Sequence, residues 1–251
     1  MAYNKNIPIK KSWGQNFLID PNTINKIVEL VNPVKDNLIL EIGPGHGALT
    51  EKIAKKCNKL YAVEIDPLLF EKLKEKKINN LILFNEDILK WDYNNNIDKK
   101  IKIIGNLPYY ISSPIIFKFL KYKHWNDMII MLQKEVAERI VSKYNTKDYS
   151  RISVMCQTFC DIKYEMNVSR NCFFPVPKID SAIIRFTKKN IDVNIENYSS
   201  LIKKSFSQRR KTLKNNLKRH VNVEILKDYN LKRPQELNIS DYVNLYKKIY
   251  I

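Results

Sequence analysis

Short apolar runs separated by stretches of helical spacing constrain this chain more than any other feature. The runs are LILEIG at 38–43, LYAVEI at 60–65, LILFN at 81–85, IKIIG at 101–105 and MIIML at 128–132. Strands alternating with helices at this spacing predict a parallel α/β sheet. The segment 48–57 has helical apolar spacing at Leu49, Ile53 and Ala54. The segment 67–76 carries Asp66 as N-cap and Pro67 in its first turn, and PIIFKFLKY follows Ser113 as its cap. An earlier helix is expected over 21–31, capped by Asp20 with Pro21 at its first position.

The pattern changes after about residue 150. ISVMCQTFCDIKYEMNV (152–168) and SAIIRFT (181–187) read as two longer strands, an antiparallel end to the sheet. FFPVPK (173–178), with two prolines, reads as a stiff loop between them. From 191 onward the chain reads as helical over 198–206, 210–220 and 241–250, with no strand. This predicts two domains, 1–190 of α/β type and 191–251 all-α, without an internal repeat or long linker. Residues 92–100 read as a polar loop.

Composition narrows the function classes. Lys and Arg number 44 against 26 Asp and Glu, a net charge of +18, with pI near 9.6. Such a chain attracts polyanions, nucleic acid before an anionic membrane. No apolar stretch reaches the ~20 residues of a membrane span, and the N-terminus lacks a secretory core or an Arg-rich transit pattern. Cys57, Cys156, Cys160 and Cys172 are too few for a disulfide scaffold, and the three histidines are scattered, so no metal is expected. The reading is a reduced, cytoplasmic protein. The charge divides as +7 over residues 191–251 and +11 over the first 190. Its densest run is Lys203, Lys204, Arg209, Arg210, Lys211, Lys214, Lys218 and Arg219, with no acid between, which points to phosphate contact.

Only five glycines are present, and three lie in Gly43-Pro44-Gly45-His46-Gly47 after the first strand. Glycines there let backbone approach a ligand at a helix N-terminus. The second strand ends in Glu64, 21 residues after Gly43, where a carboxylate can accept both ribose hydroxyls. The third is followed by Glu86-Asp87, placed to face an adenine. The glycine spacing fits both NAD and S-adenosylmethionine (SAM).

The fourth strand separates the two. It runs into Asn106-Leu107-Pro108-Tyr109, for which a dehydrogenase has no need. An amino-group methyltransferase does. The adenine N6 lone pair is delocalised into the ring. Hydrogen bonds accepted by the Asn106 side-chain oxygen and by the Leu107 or Pro108 carbonyl favour a tetrahedral nitrogen, and Tyr109 can stack on the base. A sulfonium donor is already activated, so catalysis is mostly positioning and electrostatics.

The chain resembles the ribosomal RNA adenine N6,N6-dimethyltransferases over nearly its whole length. The resemblance rests on KSWGQNFL (11–18), EIGPGHGALT, VEID, NED, NLPYYISSPI, MLQKEVAERI, FFPVPKIDS (173–181) and FSQRRKTL (206–213), in that order. It implies a Rossmann-like, SAM-dependent domain with a seven-stranded, mostly parallel sheet and a small helical RNA-binding domain. It further implies that Asn16 and Leu18 cap the methionine end of SAM and that Gly43, beside Gly45, lies under it. Glu64 would bind the ribose, Asp87 the adenine amino group, and Asn106 would lie beside the cofactor. Phe173 would sandwich the flipped target base against Tyr109. His46 stands where members vary, so it receives no role, and Ile179 replaces the usual Val.

Three branches share this core. GQN at 14–16, MLQKEVAERI, YSRISVMCQ and FSQRRKTLKNNL resemble the bacterial housekeeping branch, which dimethylates two adjacent adenines in the 3′-terminal hairpin loop of small-subunit rRNA in the 30S particle. The second is the antibiotic-resistance branch, acting on large-subunit 23S rRNA, and the third the mitochondrial transcription factors; an alternative of another class is an rRNA-binding assembly factor with secondary methylation. A monomer is expected.

Overall fold

A computed structural model describes residues 14–93, 97 and 99–251. KSW of the first motif, the N-terminal leader readings and part of the 92–100 loop lie outside the described residues. The strands are β1 (Phe17–Leu18), β2 (Leu38–Ile42), β3 (Lys59–Glu64), β4 (Leu81–Asn85), β5 (Ile101–Asn106), β6 (Trp125–Gln133), β7 (Cys160–Val168), β8 (Phe173–Phe174) and β9 (Ser181–Lys188). Seven of them form one sheet in the order β4-β3-β2-β5-β6-β9-β7. The pairs from β4 to β6 are parallel, and β6 pairs β9 antiparallel. This is the seven-stranded, mostly parallel, Rossmann-like sheet that the resemblance implies. The inner strands are buried, with Ile39, Leu40, Ile103 and Ile130 fully enclosed, as expected of parallel strands covered on both faces.

The first helix, Pro21–Val31, matches the expectation at both ends. The Asp20 carboxylate accepts from the Thr23 amide at 2.7 Å, and Asn32 closes the helix in the left-handed region. Its inner face, Ile24, Ile27, Val28 and Val31, joins one core with Leu18, Ile39, Ile53, Ile104 and Phe173. Asp66 likewise caps Pro67–Lys74. The helices expected at 48–57 and 210–220 are shorter, Thr50–Ala54 and Leu213–Leu217.

Two expectations fail. Ser113 is not a cap: the helix starts one residue earlier, at Ser112, and follows Ile111, which makes no side-chain cap bond. The Ser112 hydroxyl instead donates to the Tyr109 carbonyl. The run 152–168 is not one strand. Arg151–Phe159 is a helix, opened by a Ser150–Ser153 capping box, and only Cys160–Val168 is extended. Seven of the nine helical residues are buried, so the apolar run shows no helical stripe, and a buried helix cannot be told from a buried strand by periodicity.

The chain falls into two compact units. One holds residues up to Ala137 with Lys163–Thr187; the other holds Glu138–Ile162 with Lys188–Ile251. A single boundary near 190 divides the chain once, whereas packing assigns 138–162 to the same unit as the tail. The cause is the helix Arg151–Phe159, which packs on the tail helices Ile195–Ser205 and Ile239–Tyr250. Phe159 meets the Tyr198 ring edge-on at 5.7 Å, and the Thr158 and Tyr198 hydroxyls are bonded at 2.9 Å. Tyr149, Phe206, Tyr242 and Tyr246 complete the aromatic core of this unit. Among the described residues no helix is long and apolar enough to cross a membrane.

Candidate active site

Strand order reverses between β2 and β5, so connections leave their C-terminal ends in opposite directions and open a crevice there. The cleft at this point lies wholly within the first unit. The β2 end turns through Gly43 and Gly45, both at positive φ. A Cβ on Gly43 would meet no heavy atom within 4 Å, so the backbone borders open space where a ligand can approach.

The β3 end is held by Glu64. Its two oxygens accept from the Gly45 amide at 3.0 Å and the Asp66 amide at 2.9 Å. One carboxylate thus ties the glycine turn to the next helix and keeps lone pairs for two hydroxyls. Burial raises its pKa, against the lowering effect of those amides. Glu41, just before the turn, is also buried. Its Oε2 has no hydrogen-bond partner, and desolvation pushes its carboxyl up to about 7. Asp87 accepts from the Leu89 amide through Oδ1 at 2.9 Å.

Four carboxyls line the cleft, Glu41, Glu64, Glu86 and Asp87, with no Lys or Arg among the described lining residues. The chain as a whole is +18, so this is a local segregation of charge. A pyrophosphate would meet no side-chain cation here. A sulfonium cofactor meets carboxyls. The glycine spacing admits NAD and SAM alike, and the lining charge suits the sulfonium of SAM.

The β5 end carries Asn106. Its Nδ2 donates to the Asn16 carbonyl at 2.9 Å. With the amide nitrogen committed, Oδ1 is the end left to accept a hydrogen bond. The Asn16 side chain turns back to the Gly14 carbonyl, so it is the backbone of Asn16 that serves Asn106. Leu107 is buried and donates its amide to the Met131 carbonyl, and the Pro108 carbonyl accepts from Ile111. Among the described residues no such bond occupies the Leu107 carbonyl, which makes it the better second acceptor. Tyr109 lines the cleft, its hydroxyl 3.0 Å from that of Ser181, and burial raises its pKa.

Phe173 does not reach the cleft. It is 1% exposed and packs in the core with Leu18 and Ile24. The reason is alternation: β8 pairs with β1, Phe173 opposite Leu18 and Phe174 opposite Phe17, so one ring of the pair turns inward. Phe174 is the ring that keeps exposure. A sandwich of Tyr109 and Phe173 is therefore not formed in this structure. Leu18, also mostly buried, does line the cleft.

Three cleft residues carry roles that sequence reasoning does not single out. Gln15 donates to Asp66 at 2.8 Å, anchoring the GQNF segment to the helix after β3. Tyr110 is 59% exposed beside Gly14. Glu41 carries no signal beyond its place before the glycines. In the second unit, Lys203, Arg209, Arg210, Lys211, Lys218 and Arg219 are exposed, Lys204 and Lys214 half-buried. Leu201 and Ile202 before them, and Leu213 and Leu217 among them, point inward. None of the eight cations forms an ion pair among the described residues.

The family model described as ribosomal RNA adenine dimethylase matches residues 6–249. A Mycoplasma mobile protein named ribosomal RNA small subunit methyltransferase A is 44% identical, covering 96% of this chain and 98% of its own. A protein of the same name from Francisella tularensis subsp. novicida is 44% identical over 94% of this chain and 95% of its own. Among solved structures, a dimethyladenosine transferase from Plasmodium falciparum superposes with a TM-score of 0.83 at 28% identity, covering 92% and 96% of the two chains. The 23S rRNA methyltransferase ErmE superposes with a TM-score of 0.69 at 27% identity, covering 93% and 99%.

Proposed function

The chain belongs to the ribosomal RNA adenine dimethylase family, and from that premise we propose that it methylates two adjacent adenosines in the 3′-terminal hairpin loop of small-subunit rRNA. Each receives two methyl groups at N6, on the 30S particle, as a step in small-subunit biogenesis. The observation that carries the chemistry is the commitment of the Asn106 Nδ2 to the Asn16 carbonyl, which leaves Oδ1 as an acceptor. The small-subunit substrate is supported by relatives of that name at 40–44% identity over nearly the whole chain, against 27% for the 23S enzyme.

The residues act by position. Asn106 Oδ1 and the Leu107 carbonyl accept hydrogen bonds from the N6 amine and turn the nitrogen lone pair out of the ring plane. When bound, SAM supplies a methyl group on a sulfonium that needs no further activation. Asn16, Leu18, Gly43 and Gly45 border its methionine end, Glu64 holds the ribose, and Asp87 faces the adenine amine. The N6 proton leaves to water once the new bond forms, so no strong general base is needed. Tyr109 stacks on the base, and Tyr110 offers a second exposed ring to its neighbour. For the second transfer only one N6 proton remains, so one acceptor must release its partner. The basic run 203–219 holds the RNA backbone. The enzyme works as a monomer in the cytoplasm.

Incubation with methyl-labelled SAM and unmethylated 30S or 50S subunits, followed by nucleoside digestion, tests this. The expected product is N6,N6-dimethyladenosine from small-subunit rRNA. Label confined to large-subunit rRNA, or none with RNA binding retained, would overturn it.

A further inference from the structure

We infer that Ser181 fixes where the Tyr109 ring lies in the cleft, so that the Asp180-Ser181 pair ending FFPVPKIDS positions the base-stacking ring. This rests on the adenine chemistry proposed above. Stacking needs only an aromatic ring, and phenylalanine would supply it. The Tyr109 hydroxyl therefore asks for a separate reason, and its partner gives one: the Ser181 hydroxyl, 3.0 Å away on a residue with no exposed surface.

The backbone of Tyr109 is held by the turn, where Ile111 donates to the Pro108 carbonyl and the Ser112 hydroxyl to the Tyr109 carbonyl. The ring can still swing about its first side-chain torsion, which carries it across the cleft. A hydrogen bond at its far end holds that torsion, whereas rotation about the second leaves the hydroxyl in place. The anchor is itself fixed. Ser181 begins β9, opposite Gln133 of β6. Its neighbour Asp180 accepts from the Lys134 amide through its carbonyl at 3.0 Å and from the Arg170 amide through Oδ1 at 2.9 Å. β6 also flanks β5, with Met131 beside Asn106. The strand that aligns Asn106 thus aligns the anchor of Tyr109. Burial keeps the phenol protonated and able to donate.

Ser181 is a positioning residue, and its effect must run through the Tyr109 hydroxyl. The test is a double-mutant cycle of Ser181→Ala and Tyr109→Phe, read by single-turnover transfer to 30S and by NMR of the aromatic ring at position 109 in the free protein. Each single change is expected to slow transfer about five- to tenfold and to speed ring motion, and the double change to add nothing further. Losses that multiply in the double variant, or wild-type rates and ring motion in both singles, would overturn the inference. If Ser181→Ala does not fold, Tyr109→Phe decides alone, since it leaves Ser181 intact: a wild-type rate and unaltered ring motion contradict the claim. A wild-type protein that transfers no methyl would instead overturn the adenine chemistry, and the ring measurement, which needs no substrate, would still decide for Ser181.

Discussion

The cleft at the ends of β2 and β5 is lined by four carboxyls and no Lys or Arg, whereas residues 203–219 present eight cations and no acid. In the first set Glu41 and Glu64 are buried, and Glu64 and Asp87 accept from backbone amides; the second is mostly exposed. A buried carboxyl interacts strongly with a cationic ligand and is little screened, while an exposed Lys or Arg gives long-range attraction that salt weakens. Net charge therefore tells which partner the chain attracts, and the local departure from it tells where a small cationic ligand sits.

If the two regions divide the work, they must fail differently. The largest effect is expected from Asn106→Ala: a loss of about 10²–10³ in the single-turnover rate at saturating 30S, by quenched flow, with RNA affinity retained. Next is the triple change Arg209→Ala, Arg210→Ala, Lys211→Ala. It should weaken RNA binding about 10- to 100-fold and reduce the salt slope by roughly two to three, in titrations at several salt concentrations, while the saturated rate stays unchanged.

A smaller effect, on the order of tenfold, is expected from Glu41→Gln, as a loss of preference for SAM over S-adenosylhomocysteine, which lacks the sulfonium charge, in calorimetry above pH 7. Glu64 and Cys57 are the titratable groups that bear on Glu41, and the Thr50 hydroxyl lies beside it. Its carboxyl sits at about 7 in the fold against 4.5 unburied. Between these values the unfolded chain is ionised and the fold is not, so stability should fall as pH rises from about 4.5 to 7. Glutamine should remove that part of the fall in thermal melts of the free protein. Unchanged pH dependence would show that Glu41 is not the group responsible.

The local signals that carry through to the fold are those written in backbone chemistry. Asp20-Pro21 and Asp66-Pro67 start helices because a carboxylate cap and a proline without an amide satisfy the same helix end. The glycine turn and Asn106 stand where strand ends open. What is not legible depends on neighbours distant in sequence. Arg151–Phe159 is buried on most sides by contact with the tail, and that removes the apolar stripe by which a helix is read. Phe173 and Phe174 are identical in type, and only pairing with Phe17–Leu18 decides which turns inward. Asp180 and Ser181 are plain polar residues until β9 brings them to Arg170 and Tyr109.

The division between the two regions is tested most directly by the single-turnover transfer rate as a function of 30S concentration, for wild type, Asn106→Ala and the triple basic variant. The plateau should collapse for Asn106→Ala with its half-saturating concentration unchanged. The half-saturating concentration should rise for the basic variant with its plateau unchanged. Both variants shifting on the same axis, or Asn106→Ala transferring at the wild-type rate, would contradict the account.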